Sequence, residues 1–326
     1  MKEKKGISLI VLIVTIIVMI IIAGAVIISL TETKIIDQAG VAVEKHNISE
    51  IQSAANLAYA EYLLTDRTTT LQGYISNKLI KDGVIAEEEK GKYYINEDLT
   101  VEEVDQDAFI YVVDIPEDNY NWTFNSNTIS DGDFFIDWDD DTYSDQDNLV
   151  AFEHTYANKG IYEIKIKGDF YSLETTSSNS EDIEMVIAIK SFGNLGLEEL
   201  YLDIGSRCKY LPIPNQNSFK NLTNFDVLSL NGLEEIPDYF FYGAPIETVG
   251  FLNIKSLKYV PANVFEGCTT LKNVYRIFYG CENLTGFVPP LWDDELYPNI
   301  TDHREAFTGT NVTRGYDGSE IPADWK

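Results

Sequence analysis

The chain has 326 residues, enough for more than one domain, and carries 24 basic against 53 acidic side chains for a net charge of −29. No basic stripe is available to neutralise phosphates, which excludes nucleic acid as a partner. Tyr and Phe number 20 and 16 beside only 3 Met, a bias that suits half-buried β surfaces.

The chain opens with a short basic stub, Met1 to Gly6, followed by residues 7–30, which carry no charge. As a helix this stretch spans about 36 Å, enough for a hydrocarbon core of about 30 Å. Lysines on its near flank orient the remainder of the chain outward. Three readings fit: a cleaved secretory signal using Ala23-Gly24-Ala25, a retained signal anchor, or a basic leader cut on the cytoplasmic side of the apolar helix. Further on, Ile48, Ile51, Ala55, Ala58 and Tyr62 recur at helical spacing, with Glu44, Lys45, Glu50 and Gln52 off the stripe. That pattern predicts an amphipathic stem ending by Thr65-Asp66-Arg67-Thr68.

Lys5-Gly6-Ile7-Ser8-Leu9-Ile10, continued by this stem, resembles the prepilin leader of type IV pilins and pseudopilins. The resemblance implies cleavage by a prepilin peptidase between Gly6 and Ile7, and association with other pilins. Where that family carries Glu at the fifth mature position, this chain has Val11. A minor tip subunit, or a membrane-resident protein using the same export signal, fits that departure.

Residues 65–118 read as a small α+β region. Leu71 to Ile80 is a short helix, Lys90-Gly91-Lys92 a turn before Tyr93-Tyr94-Ile95, and Phe109-Ile110-Tyr111-Val112-Val113 a buried strand. Between 119 and 170 the pattern turns to β. Phe134, Ile136 and Trp138 alternate with Phe135, Asp137 and Asp139, as Tyr162, Ile164 and Ile166 do with Glu163, Lys165 and Lys167. Ile136-Asp137-Trp138-Asp139-Asp140-Asp141-Thr142, with His154-Thr155-Tyr156 and Gly160-Ile161-Tyr162, resembles a PKD domain, which implies an immunoglobulin-like sandwich. The polar segment Ser172–Asp182 reads as a hairpin tip or linker.

Residues 171–326 hold internal repeats. Leu-x-x-Ile/Val-Pro precedes Phe-x-Gly-small: Leu233 to Pro237 leads to Phe241-Tyr242-Gly243-Ala244, and Leu257 to Pro261 leads to Phe265-Glu266-Gly267-Cys268. Phe278-Tyr279-Gly280-Cys281 and Phe307-Thr308-Gly309-Thr310 continue the series toward Val288-Pro289 and Ile321-Pro322, with insertions such as 293–299. Ile236 and Val260 lie 24 residues apart, within the range of leucine-rich repeats. The pattern resembles BspA-type leucine-rich repeats of bacterial surface proteins, closed by a C-terminal cap.

The fold class expected is therefore multi-domain α+β. It comprises a leader (1–6), a transmembrane and stem helix (7–64), a small pilin-like region (65–118), a sandwich (119–170) and a leucine-rich-repeat solenoid (171–326). From Asp131 to Asp147 there are eight Asp and no Lys or Arg. Asp139, Asp141, Asp145 and Asp147 are the candidate ligands if calcium binds; a solvated acidic loop is the competing reading, and no other cofactor is expected. Cys268 and Cys281 share a motif position, so a disulfide and two buried thiols both fit. His46, His154 and His303 have no nucleophile at motif spacing, and no enzyme is expected. These features predict a membrane-anchored or pilus-associated surface protein that displays modules for a protein or glycan ligand. The alternative is a structural minor pilin.

Overall fold

The computed structural model describes residues 34–64, 71–86, 89–96, 98–125, 129–144, 151–175, 180–203, 205–229, 232–251 and 254–326. Helix α1, Lys34–Tyr62, is divided at Ile51/Gln52 between two compact units, and the second unit, Gln52–Lys326, contains every described strand. Within that unit α1 buries Ala55, Ala58 and Tyr62, one stripe at three- to four-residue spacing. Helix α2, Leu71–Lys81, packs beside it. The rings of Tyr62 and Tyr74 lie 5.5 Å apart, and Lys78 reaches Glu61 at 3.2 Å.

Strands β1 (Tyr93–Ile95) and β2 (Val101–Glu103) form an antiparallel hairpin. The Gln52 side chain of α1 joins it twice, donating to Leu99 O at 2.6 Å and accepting from Val101 N at 2.8 Å. Strand β3, Phe109–Ile115, is apolar on both faces because both are covered. Phe109, Tyr111 and Val113 enter the main core, and Ile110 packs with Val104 and Ala108. β4 (Tyr120–Asn125) and β7 (Ala151–Tyr156) form a separate antiparallel ladder, whose Trp122 meets Tyr111 and Trp138 edge-on. β5 (Ile129–Asp137) pairs with β6 (Tyr143–Ser144) and with β8 (Gly160–Glu174).

β8, Gly160–Glu174, holds the architecture together. Over Gly160 to Ile166 it runs antiparallel to β3, and over Ser172 to Glu174 it runs parallel to β10, Glu199–Asp203. Parallel pairing continues to β11 (Asn224–Ser229) and β12 (Thr248–Phe251), giving the order β12-β11-β10-β8-β3-β9, with β9 at Val186–Phe192. Helix α3, Ser180–Met185, precedes β9.

From β10 onward the chain coils as a β-solenoid. One parallel ladder runs through Glu199, Asn224, Thr248, Asn273 and Asp302, and a second through Tyr210, Glu235 and Tyr259. Leu, Ile, Val and Phe side chains fill the coil. Asparagines tie successive rungs, with Asn283 donating to Lys255 O and Asn299 to Thr269 O, both at 2.7 Å. Pro212, Pro237 and Pro261 follow the second ladder and stop it, since they have no N–H to offer. β13 (Phe287–Val288) and β14 (Arg314–Gly315) pair near the end, where Trp325 closes the core.

This architecture overturns the expected fold class. The described residues are mostly β, with three α-helices and one short 3-10 helix (Ala323–Trp325) among them, and no described helix is long and apolar enough to cross a membrane. The proposed span 7–30 lies outside the described residues. No self-standing sandwich follows the α+β region. β3, β5 and β8 share one sheet, and β8 crosses the expected 170/171 boundary into the solenoid. From β10 onward the described residues form strands and tight turns, with no α-helix and a single short 3-10 helix at Ala323–Trp325. Ser172 to Asp182 is not a simple linker either: Ser172, Thr175 and Asp182 are buried, and Asp182 accepts a 2.6 Å hydrogen bond from the Tyr120 hydroxyl.

The Phe-x-Gly motif occupies two columns, not one. Phe241 stacks on Phe265 at 5.5 Å and 4°, whereas Phe278 stacks on Phe251 at 5.8 Å and approaches Phe307 at 5.7 Å. In the first two rungs the motif lies far beyond the ladder residue; in the last two it follows almost at once. The uneven intervals therefore mark a change of column as well as insertions. A Cβ added to Gly267 would sit 3.3 Å from the Gly243 backbone, and both residues have positive φ, +79° and +64°, which favours glycine at the corner in both rungs.

Candidate functional site

The Lys90-Gly91 turn meets the solenoid side on. Gly91 has φ +80°, and a Cβ there would lie 2.8 Å from Ile213 O. Only glycine permits that approach. Two amides fix it: Gln106 donates to Lys90 O at 3.3 Å, and Asn215 Nδ2 donates to Gln106 O at 2.9 Å. Asn215 Oδ1 also accepts from the backbone of Asn217 and Ser218, so this side chain is spent on structure.

The junction leaves a cleft of about 500 Å³. Phe219 and Phe240 are buried beneath it with ring centres 5.3 Å apart. Tyr239 and Tyr242 line it edge to face at 5.7 Å, and the Lys90 ammonium sits 4.7 Å from the centre of the Tyr239 ring. Tyr242 is 65% exposed, although a large aromatic ring gains by burial. Lys220 and Gln216 are exposed at the lining, and among the described residues Lys220 forms no ion pair and the Gln216 amide no hydrogen bond. Tyr239 has a left-handed backbone, φ +56°, but so do Arg276 and Glu305, each two residues before its own Phe-x-Gly. The conformation belongs to the repeat's corner and is not strain reserved for this site.

Comparison of the chain with protein-family models, with curated proteins and with solved structures finds no match. What the cleft binds has to be judged from its own side chains. Among the described residues the lining holds aromatic rings, amides and two lysines, and no Asp, Glu, His or Cys. That set can hold a ligand; it offers no carboxylate or imidazole to move a proton at neutral pH.

Two other surfaces hold paired cations. A cleft of about 760 Å³ includes Lys190 and Arg207, but Lys190 pairs with Glu102 and Glu163 at 2.6 and 2.7 Å, and Arg207 with Asp114 at 2.7 Å. Arg276 and Arg304 lie over the Tyr275 ring while bound to Glu305 and Asp302.

Of the candidate calcium ligands, Asp139 and Asp141 stand on the turn between β5 and β6, both with positive φ; Asp145 and Asp147 lie outside the described residues. The turn uses most of its carboxylates internally. Asp137 accepts from Asp139 N, Asp139 from Glu163 N at 2.8 Å, and Asp140 from Thr142 and from His154 Nε2 at 2.8 Å. Burial acts to raise the Asp140 pKa, but the bonds from Thr142 and His154 outweigh it and hold the carboxyl below its ordinary value. No group of three metal-ligating side chains is assembled among the described residues. Gly6, Ile7 and Val11 also lie outside them.

His154 stacks on Trp138 at 4.8 Å, and His303 on Trp325 at 4.4 Å while contacting Asp324 at 2.9 Å. Both rings fasten structure. Cys268 and Cys281 are buried thiols whose Sγ atoms donate to different carbonyls, Phe241 O and Phe251 O, because their motifs lie in different columns. Burial pushes both thiols up to about 12, far from a reactive thiolate.

The cleft was not legible in the sequence. Tyr239-Phe240-Phe241-Tyr242 was a visible aromatic run, but Lys90-Gly91 gave only a turn, and nothing local joins segments so far apart in the chain.

Proposed function

We propose that this protein is a bacterial surface protein, cut between Gly6 and Ile7 and held at the membrane by residues 7–30, whose unit Gln52–Lys326 displays a binding cleft to an extracellular glycan or protein. The carrying observation is the cleft itself: exposed Tyr242 and half-buried Tyr239 beside Lys90 and Lys220, on a packed base, with no acidic or imidazole group in the lining among the described residues. Rigid Tyr rings provide contact area at low entropy cost, which suits recognition more than turnover. The uncharged stretch behind a basic stub supports the tether, and the leader's resemblance to prepilins supports the cleavage point.

Bacteria producing the full chain test this directly. The protein should fractionate with membranes and be digested by protease added to intact cells. Cells making it should attach to wells coated with crude extracellular polysaccharide or with matrix-protein extract, and Tyr242→Ala at equal surface level should attach less to one of them. A chain found in the cytosol, or equal attachment of both versions to both coatings, defeats the proposal.

A further inference from the structure

The ligand class follows from how charge is distributed around the cleft, and the inference rests on the cleft being the binding site. In a chain of net charge −29, Lys190, Arg207, Arg276 and Arg304 are each neutralised by carboxylates. The cleft differs. Among the described residues its lining has no carboxylate, and the exposed Lys220 has no ion-pair partner. At physiological salt the chain's overall field is screened within about 8 Å, so the immediate lining decides which charge is welcome.

We infer that the cleft binds an acidic carbohydrate, a pyranose bearing a carboxylate, laid on Tyr242 and Tyr239 with its acid group at Lys220. A pyranose presents a face of weakly positive C–H groups, and an aromatic face is electron-rich, so the two attract. The spare Gln216 amide offers a donor and an acceptor to ring hydroxyls. An acidic peptide fits the charge but not the surroundings. Every lining residue lies in a turn or loop and none in a strand, so an extended peptide finds no sheet edge to join. The shape is an open cleft for one or two sugar units and not a groove for a helix.

The test uses the full chain in detergent micelles and isothermal calorimetry with three probes: a galacturonic-acid tetramer, its methyl ester and a Glu-rich decapeptide. The free-acid sugar should bind and the neutral ester should bind at least about tenfold more weakly, the scale expected when a charged group loses its partner. Tyr242→Ala and Lys220→Gln should each weaken the free acid by about fivefold or more, and Lys220→Arg should restore most of the second loss. Unchanged melting of each variant keeps misfolding out of the comparison. Equal binding of acid and ester, no binding of the acid, or binding of the peptide alone overturns the inference. If those results accompany cell attachment that still depends on Tyr242, the ligand class is wrong and the cleft stands. If attachment is also indifferent to Tyr242, both fall.

Discussion

Glu235 is the side chain whose environment departs furthest from what its neighbours in sequence suggest. In Leu233-Glu234-Glu235-Ile236-Pro237 it looks like one of many surface acids. In the fold it stands between Tyr210 and Tyr259 in the second ladder, and its Oε1 accepts from Leu71 N at 3.1 Å, at the start of α2. Burial pushes the carboxyl up to about 7; the Leu71 bond opposes this, and Asp238 and Glu234 reinforce it against Lys258. The folded pKa thus exceeds the unfolded value, so the folded state holds the proton more tightly. This group favours the fold in full below pH about 4.5 and loses that advantage as pH rises through 7. The loss is at most about 3 kcal/mol. Glu235→Gln keeps an oxygen for Leu71 and removes the titration. Urea denaturation should find the variant more stable than wild type at pH 8 and level with it at pH 5. A variant less stable at both would mean that the ionised carboxylate holds α2 better than a neutral one.

At the level of elements, local pattern was a good guide to what forms and a poor one to what pairs. The alternation at Phe134, Ile136 and Trp138 and at Ile164 and Ile166 corresponds to buried faces of β5 and β8, and the apolar run at 109–113 to a strand covered on both sides. The motif Phe-x-Gly marked true corners, yet its two columns were hidden, because a corner's sequence does not say how far around the coil it lies. Gln52 shows the same limit. Read as a polar position off the stem's stripe, it is the link between α1 and the β1–β2 hairpin. Gln52→Ala leaves the N–H of buried Val101 without its acceptor. It should cost about 1–2 kcal/mol and raise amide hydrogen exchange at Val101 by tenfold or more while sparing β3. Unchanged exchange at Val101 would show that the hairpin is held by packing alone.

Across the whole molecule, the shared sheet makes separate modules unworkable. β9 has β3 as its sheet neighbour, and Phe192 packs on Phe109 at 6.2 Å, so the start of the solenoid leans on residues well before it. A fragment of residues 171–326 cuts β8, strips β9 of that neighbour and removes Lys90 from the cleft. It should aggregate or melt well below the full chain, whereas residues 52–326 should unfold in one transition by circular dichroism and Trp fluorescence. A monomeric 171–326 fragment with an undiminished melting temperature would restore the modular picture.

The sequence by itself determined the acidic surface, the helix at 71–81, the strands β1, β3, β5 and β8, the repeat corners and the absence of a catalytic motif. Each is written in composition or in a period of two or three to four residues, which a short stretch of chain carries alone. Only the tertiary structure decided that β8 serves two pairings, that the Phe-x-Gly corners split between columns, and that Lys90 stands over Tyr239. Those outcomes depend on which distant backbone groups meet and on Gly91 permitting the approach, and no local period encodes a partner so far along the chain.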